Sequence, residues 1–169
     1  MFDTFFGLPL HPLIVHATEV MVPAAAIAVT LAALWPRFRR WAHYLPLALA
    51  LIALILVPIS TESGESLETR VGGNDLIETH AQLAENLLPW VAGLVVVAAV
   101  MLWWYWDERT ATTRRAPTWV AVVLAVAAVV ASTGTVVQAV RVGHSGATAV
   151  WSEDMGSTPA SGSGDSDKG

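Results

Sequence analysis

The sequence contains no cysteine. This absence excludes disulfide bonds, thiolate metal ligands and the Cys-x-x-Cys-His attachment of c-type haem. Any metal site would therefore depend on histidine, carboxylate or methionine side chains. Lysine is nearly absent as well, because Lys168 is the only one, and no basic patch indicates a nucleic-acid partner. The preference for arginine over lysine and the abundance of alanine and valine favour a bacterial source.

Charged residues are also few, at 14% of the chain, whereas hydrophobic residues make up 54% and the mean hydropathy is +0.55. A soluble domain typically carries about 25% charged residues. The formal net charge of -5 does not describe a continuous acidic surface, because the acidic residues lie mainly between residues 62 and 85 and in the C-terminal tail. The composition therefore indicates an integral membrane protein.

Four long apolar stretches predict an all-α, integral membrane four-helix bundle. Each stretch approaches the ~20 residues that a helix needs to cross ~30 Å of hydrocarbon. Tryptophans occur at the ends of the stretches, as expected for rings at the headgroup level. We expect one transmembrane domain over residues 1–151 and a disordered Ser/Gly/Asp-rich tail over 152–169. The predicted helices span about 12–35, 41–68, 75–106 and 118–142.

Arginines concentrate in two of the three predicted loops. Cytoplasmic loops of membrane proteins carry an excess of basic residues, so the first and third loops are expected in the cytoplasm. Both termini and the second loop, which holds only Arg70, are then extracytoplasmic. We expect a multi-pass protein of the plasma membrane that contacts the lipid bilayer. The arginines of the two basic loops are Arg37, Arg39, Arg40, Arg109, Arg114 and Arg115.

Four of the five histidines are predicted at the same face of the bilayer. These are His11, His16, His80 and His144, whereas His43 lies at the opposite face. Imidazole is costly to hold near hydrocarbon, so such histidines usually face the bundle interior and bind or relay something. This cluster is the strongest functional feature of the sequence.

A polar seam is predicted on the first helix. At 100° per residue, His16 and Glu19 fall on one stripe with Pro12, Pro23 and Thr30. Polar groups in membrane helices usually face other helices, so we expect this seam to face inward. The alternative is a local pair between His16 and Glu19 within the interface region.

His80 is predicted on the apolar face of the third helix. The segment Asp75-Leu-Ile-Glu78 has the spacing of a helix-starting box, so this helix begins well outside the membrane. On its helical wheel, His80 aligns with leucines, whereas Glu78 and Glu85 lie on the opposite side. A single histidine in this setting is more often a hydrogen-bonded core residue than a ligand, but other histidines are expected at similar depth.

The ends of the second and fourth helices add further candidates. Glu65 can supply an oxygen ligand, although acidic residues beside water more often form a solvated helix end. Gly143 is expected to terminate the fourth helix before His144. Arg141 would extend to the headgroups or, in a haem site, neutralise a propionate. No internal repeat is evident, although the two basic loops divide the helices into two pairs.

Several segments together are similar to a known bacterial family. They are GLPLHPLIVH at the start, TESGE after the second helix, His80, and RVGHSGATAVW at the end of the fourth helix. This combination resembles domain-of-unknown-function family 2231 over nearly the whole chain before the tail. The resemblance implies a four-helix membrane domain with histidines recurring at the four positions named above, but it implies no established reaction. The chain departs from the family at Ala17 and Thr18, where the family has phenylalanine and proline.

The leading hypothesis is a b-type haem site near the extracytoplasmic face, used for electron transfer. Bundle cores commonly hold cofactors between facing helices, and bis-imidazole ligation suits an electron carrier. Arg141 or Arg70 would pair with a haem propionate. Two axial ligands would come from His16, His80 and His144.

Two alternatives use the same histidines. In the first, zinc or copper is bound by nitrogen and oxygen ligands. In the second, the protein is a non-catalytic membrane subunit, a transporter component or a pH- or metal-responsive module with a membrane redox or transport partner. Enzymatic activity is the least supported function, because no catalytic motif is visible. The candidate metal ligands are His11, His16, Glu19, Glu65, His80 and His144.

Overall fold

The computed structural model describes residues 4–5, 8–110 and 118–156. Two short strands, β1 (Thr4–Phe5) and β2 (Leu8–Pro9), form one antiparallel pair. Most of the remaining described chain is helical, which confirms the all-α fold class. The helices are α1 (Leu10–Leu34), α2 (Pro36–Ala42), α3 (Leu45–Val71), α4 (Asp75–Glu85), α5 (Leu87–Thr110) and α6 (Thr118–Gly156).

Four helical spans among the described residues are long and apolar enough to cross a membrane, and α4 and α5 together form one of them. Large apolar side chains on these spans are widely exposed, including Val20, Val96 and Val126. Such exposure is expected of a surface that faces acyl chains. The predicted four-helix membrane protein is therefore confirmed. The spans are Leu10–Leu34, Leu45–Arg70, Asp75–Asp107 and Thr118–Trp151.

The helices pack as a bundle in the order α1, α3, α5 and α6, and α6 also packs against α1. Much of the core consists of small side chains, which let helix backbones approach closely in a membrane. Larger buried residues fill the space between them. Representative core residues are Ala25, Val29, Ala53, Leu94 and Ala128.

The bundle has two chemically different ends. The histidine end comprises the start of α1, the connection between α3 and α4, and the later turns of α6. The arginine end comprises α2 and the end of α5. Because successive spans run in opposite directions, His11, His16, His80 and His144 lie on elements of the histidine end, and His43 lies at the arginine end.

The third predicted helix is divided in the structure. It begins at Asp75 as predicted, but the capping residue is Asn74, whose Oδ1 accepts hydrogen bonds from the backbone N–H groups of the next turn. The helix is interrupted at Asn86, between α4 and α5. Pro89 explains the interruption, because proline donates no backbone hydrogen bond and its ring clashes with the carbonyl four residues earlier.

The fourth helix is longer than predicted. The expectation that Gly143 terminates it is wrong, because α6 continues to Gly156. A glycine inside a helix costs ~1 kcal/mol relative to alanine. Here the glycines face neighbouring side chains: an added Cβ on Gly143 would lie 3.7 Å from Oε1 of Glu19. Of the predicted disordered tail, residues 152–156 belong to α6, and residues 157–169 lie outside the described residues.

The first loop contains a short helix that the sequence did not predict. This helix, α2, follows Trp35 and begins with Pro36, whose fixed φ suits a first helical position. His43 follows it with a φ of 44°, and this left-handed conformation separates α2 from α3. The second spanning helix therefore begins at Leu45 rather than at residue 41.

Candidate functional site

His11 lies near the start of α1 with its ring against α3. The ring covers Gly64, where an added Cβ would be 3.1 Å from Cε1 of the imidazole. Its Nδ1 lies 3.1 Å from the carbonyl oxygen of Ser60 and 3.1 Å from Oγ of Ser63. The side chain is partly buried. His11 is therefore held by the neighbouring helix rather than by its own.

His80 occupies the corresponding position between α4 and α6. Its ring covers Gly146, where an added Cβ would be 3.0 Å from Cε1 of the imidazole. Its Nδ1 lies 3.0 Å from Oγ of Ser145. The buried side chain of Gln138 also ties α6 to α4, because its Nε2 donates to the carbonyl oxygen of Leu83 at 2.8 Å. The predicted inward position of His80 agrees with this packing.

These two arrangements are structurally equivalent. We call His11 with Ser63 and Gly64 the first cluster, and His80 with Ser145 and Gly146 the second cluster. In each, one helix supplies a histidine and the next span supplies a Ser-Gly dipeptide. The sequence separation between histidine and serine is 52 residues in the first cluster and 65 in the second. Because the separations differ, a fixed sequence period does not reveal this repeat.

The hydrogen bonds assign the tautomer of His11. The carbonyl oxygen of Ser60 can only accept, so Nδ1 of His11 donates to it and carries the proton. In the neutral ring, Nε2 of His11 then keeps its lone pair. Oγ of Ser63 also donates to the carbonyl oxygen of Ser60, and Oγ of Ser145 donates to that of Val142, each at 2.9 Å. Nδ1 of His80 hydrogen-bonds with Oγ of Ser145.

His11 and His80 lie on α1 and α4, at the same end of the bundle, and we call them the histidine pair. Within the described residues, Nε2 of His11 and Nε2 of His80 have no hydrogen-bond partner. The pair therefore presents two imidazole nitrogens that can bind a proton or an electron-poor metal centre.

His16 and Glu19 do not belong to this pair. Both side chains are exposed, and Nδ1 of His16 hydrogen-bonds to the carbonyl oxygen of Pro12 in its own helix. The predicted inward seam is therefore wrong at His16, whereas the exposed Glu19 still reaches α6, where its Oε1 would lie 3.7 Å from a Cβ added to Gly143. The inward side of this part of α1 is instead taken by Thr18 and Val22, which are buried.

Three other predicted site residues, His144, Arg141 and Glu65, have exposed side chains. Across the described part of the chain, no group of three or more histidine and acidic side chains could hold a metal ion. Of the predicted set, His11 and His80 each pack against a Ser-Gly dipeptide of the next span, whereas His16, Glu19, Glu65, Arg141 and His144 have exposed side chains.

Sequence reasoning missed the serines that hold these histidines. A signal was available, because TESGES and GHSGAT both contain a Ser-Gly dipeptide near the end of a spanning segment. That signal becomes specific only when the helix pairing is known. For the same reason His11 was included among the candidate metal ligands but not among the expected haem ligands.

A cavity of about 340 Å³ lies at the opposite end of the bundle. Its walls are mainly apolar side chains of α1, α3 and α5, and Arg39 is among its polar residues. The guanidinium of Arg39 is engaged, because Nη1 donates to the carbonyl oxygen of Ala32 at 3.1 Å and Cζ lies 3.4 Å from the ring centroid of Tyr105. These contacts stabilise the arginine end and distinguish it from the histidine pair.

Comparison with known proteins gives a family and no closer relative. A family model described as a predicted membrane protein, DUF2231, matches residues 7–159. No curated protein and no solved structure matches the chain. The family match includes all six helices and both His–Ser–Gly clusters. The chain therefore belongs to DUF2231, the domain-of-unknown-function family of membrane proteins that its sequence motifs resemble.

Proposed function

We propose that His11 and His80 are the two axial ligands of a b-type haem and that the protein carries electrons in the membrane. The observation that supports this proposal is that Nδ1 of each ring hydrogen-bonds with a serine of the next span, while Nε2 of each ring has no hydrogen-bond partner among the described residues. Metal-binding histidines typically donate their other ring N–H to a second group, which orients the ring. The serine contacts supply that hydrogen bond in both clusters.

The donor set suits haem better than a bare metal ion. A porphyrin supplies four nitrogen ligands, so iron needs only two more from the protein. Zinc in a structural site usually takes four protein ligands. The zinc or copper site considered from the sequence would need additional groups, and both Glu19 and Glu65 are exposed. Haem is therefore the preferred cofactor, and zinc or copper is the alternative that metal analysis tests.

The proposed ligand pair differs from the pair expected from the sequence. His80 is retained, whereas His11 replaces His16 or His144 as its partner. His11 has two polar neighbours on α3 that fix its ring, whereas the ring of His16 contacts its own helix. Arg141 is an exposed cation at the histidine end and is proposed to neutralise a haem propionate.

We further propose that the histidine end faces the extracytoplasmic side of the plasma membrane. The support is the arginine bias of the opposite end, where Arg37 and Arg40 are exposed. Single cysteines test this directly because the natural chain has none. In intact cells, an impermeant maleimide should label Asp75→Cys and should not label Arg40→Cys until the cells are permeabilised. The opposite labelling pattern would invert the topology.

A second candidate is a proton-responsive subunit or transporter component that uses the same histidines. The support is that His11 and His80 lie at the same end of the bundle and that Nε2 of each ring has no hydrogen-bond partner among the described residues. Imidazole is the side chain best suited to bind and release a proton near neutral pH. In that case the protein would work with a membrane transport partner, and His11→Ala and His80→Ala would alter proton-coupled uptake without any pigment.

Spectroscopy and metal analysis separate these proposals. The full chain is expressed with ample haem, purified in detergent and measured with and without dithionite. We expect a Soret band and one haem per chain in the wild type, and loss of the band in the His11→Ala/His80→Ala double variant. His43→Ala is the matched control at the arginine end and should retain the band. A wild type without haem, or a double variant that keeps the band, would refute the haem proposal. Stoichiometric zinc or copper in a haem-free protein would support the metal alternative.

A further inference from the structure

The short helix α2 carries three arginines and uses them in two ways. Arg39 turns inward, where it donates to the carbonyl oxygen of Ala32 and stacks on the ring of Tyr105. Arg37 and Arg40 are exposed, and neither has a hydrogen-bond or ion-pair partner among the residues described. Two of the three cations are therefore available to a group outside the chain.

The helical spacing places the exposed cations beside an exposed tryptophan. At 100° per residue, Arg37, Arg40 and Trp41 fall within one arc of about 100° on α2. Phe38 and Ala42 lie on the other side, where Ala42 is buried and Phe38 packs against the bundle core. α2 is thus an amphipathic turn with an apolar inner face and a basic, aromatic outer face.

The position of α2 puts this outer face at the membrane boundary. Helix α2 is separated from Leu34, the last residue of the first span, only by Trp35, which is also exposed. Tryptophan rings favour the headgroup level, where one edge is apolar and the other is hydrated. Trp41 is 74% exposed, so its ring needs an environment of this kind outside the protein.

We propose that Arg37, Arg40 and Trp41, together with Trp35, bind the phosphate headgroup of an anionic phospholipid. A guanidinium can donate two parallel hydrogen bonds to a phosphate, and two guanidinium groups one turn apart can share one headgroup. The tryptophan rings contact the glycerol and upper acyl region. This surface is separate from the histidine pair, and it can function whether or not haem is bound.

Competition between two lipids tests this surface. The purified full chain is mixed with equal amounts of phosphatidylglycerol and phosphatidylcholine and examined by native mass spectrometry. We expect the wild type to retain phosphatidylglycerol preferentially. The Arg37→Gln/Arg40→Gln variant should lose that preference by roughly tenfold, because each basic residue near an anionic surface contributes substantially to binding.

Matched controls separate a lipid site from a general effect of charge or folding. Arg141→Gln removes an exposed arginine at the histidine end and should keep the preference. The Arg37→Lys/Arg40→Lys variant retains the charge and should lose only part of the preference for phosphatidylglycerol. The same variant serves as a folding control, because both positions on α2 are substituted in it. Inorganic phosphate should not displace the lipid. An unchanged preference in Arg37→Gln/Arg40→Gln, an equal loss in Arg141→Gln, or displacement by inorganic phosphate would each overturn the proposal.

Discussion

The first and second helix pairs hold a histidine in the same way but restrain it to different degrees. In both pairs the imidazole ring packs on the glycine of a Ser-Gly dipeptide. The Nδ1 atom of the ring hydrogen-bonds with the serine of the same dipeptide. His11 has an additional acceptor in the carbonyl oxygen of Ser60, and it lies on a continuous helix of 25 residues. His80 bonds to Ser145 and lies on α4, a helix of 11 residues that ends before Asn86.

The two pairs therefore share a local element, which is a Ser-Gly dipeptide beside a histidine. They differ in the length of the helix that carries the histidine and in the hydrogen-bond acceptors around its ring. A helical glycine provides the space for the imidazole ring, and the preceding serine hydrogen-bonds with its Nδ1. Helix continuity and additional acceptors are not required for this geometry. We therefore expect both histidines to offer equivalent Nε2 atoms. We also expect haem binding at His80 to be more sensitive to loss of its serine than haem binding at His11.

Filling either glycine should have the largest effect. In Gly64→Val or Gly146→Val, the new side chain occupies the space of the imidazole, because even a Cβ would lie 3.1 or 3.0 Å from Cε1. Overpacking of this kind costs about 1–3 kcal/mol, and the displaced histidine should no longer bind haem. Each variant should lose the Soret band. Gly93→Val is the control, because no atom lies within 4 Å of an added Cβ there; a loss of haem in the control would invalidate the interpretation.

A substitution deeper in the second pair should destabilise the protein by a similar amount. The ring of Trp90 occupies the position that a Cβ on Gly134 would need. Gly134→Ala should therefore lower the free energy of unfolding by about 1–3 kcal/mol, measured by thermal or denaturant unfolding in detergent. Gly93→Ala should be neutral or stabilising, because alanine favours a helix by ~1 kcal/mol over glycine. Equal stability of the two variants would show that Trp90 does not pack on Gly134.

Removing the serines should reveal the difference between the clusters. Ser145→Ala leaves Nδ1 of His80 without its hydrogen-bond acceptor, whereas Ser63→Ala leaves the carbonyl oxygen of Ser60 beside His11. Loss of such a partner commonly reduces metal affinity by about 10–100-fold. We expect haem titration to show a loss in this range for Ser145→Ala and a smaller loss for Ser63→Ala. The midpoint potential should also move more in Ser145→Ala, and Ser145→Thr should restore it. The reverse order would contradict the assigned hydrogen bonds.

The smallest expected effect is at the start of α4. The side chain of Asn74 accepts hydrogen bonds from the N–H groups of Leu76 and Ile77 at 3.0 and 2.9 Å. Asn74→Ala should lower the free energy of unfolding by about 1 kcal/mol, as expected for loss of an N-cap. Asn74→Asp should retain most of the stability. An Asn74→Ala variant as stable as the wild type would show that tertiary contacts alone hold α4 in place.

The fold could be predicted because its main signal is local. An apolar run of sufficient length predicts a spanning helix whatever its neighbours, and four such runs gave the correct number of spans. The boundaries were less predictable where tertiary packing outweighs local preference. Gly143 is typical of a helix end, yet it lies inside α6 where Glu19 packs beside it.

The candidate site was only partly predictable because it depends on contacts between helices. His80 was placed correctly, since the apolar face of its helix is visible in the sequence. The interpretation of His16 was wrong because a wheel shows which residues share a face but not which face is inward. The partner of His11 could not be identified, because Ser63 is 52 residues away and the rotation of α3 relative to α1 is set by packing.

The spin state of the ferric haem tests most directly whether each helix pair supplies one ligand. The wild type, His11→Ala and His80→Ala proteins are loaded with haem and compared by electron paramagnetic resonance. We expect a low-spin bis-imidazole signal in the wild type and a high-spin signal, with one remaining ligand, in both single variants. A bis-imidazole signal that persists in either variant would contradict the pairing of His11 with His80.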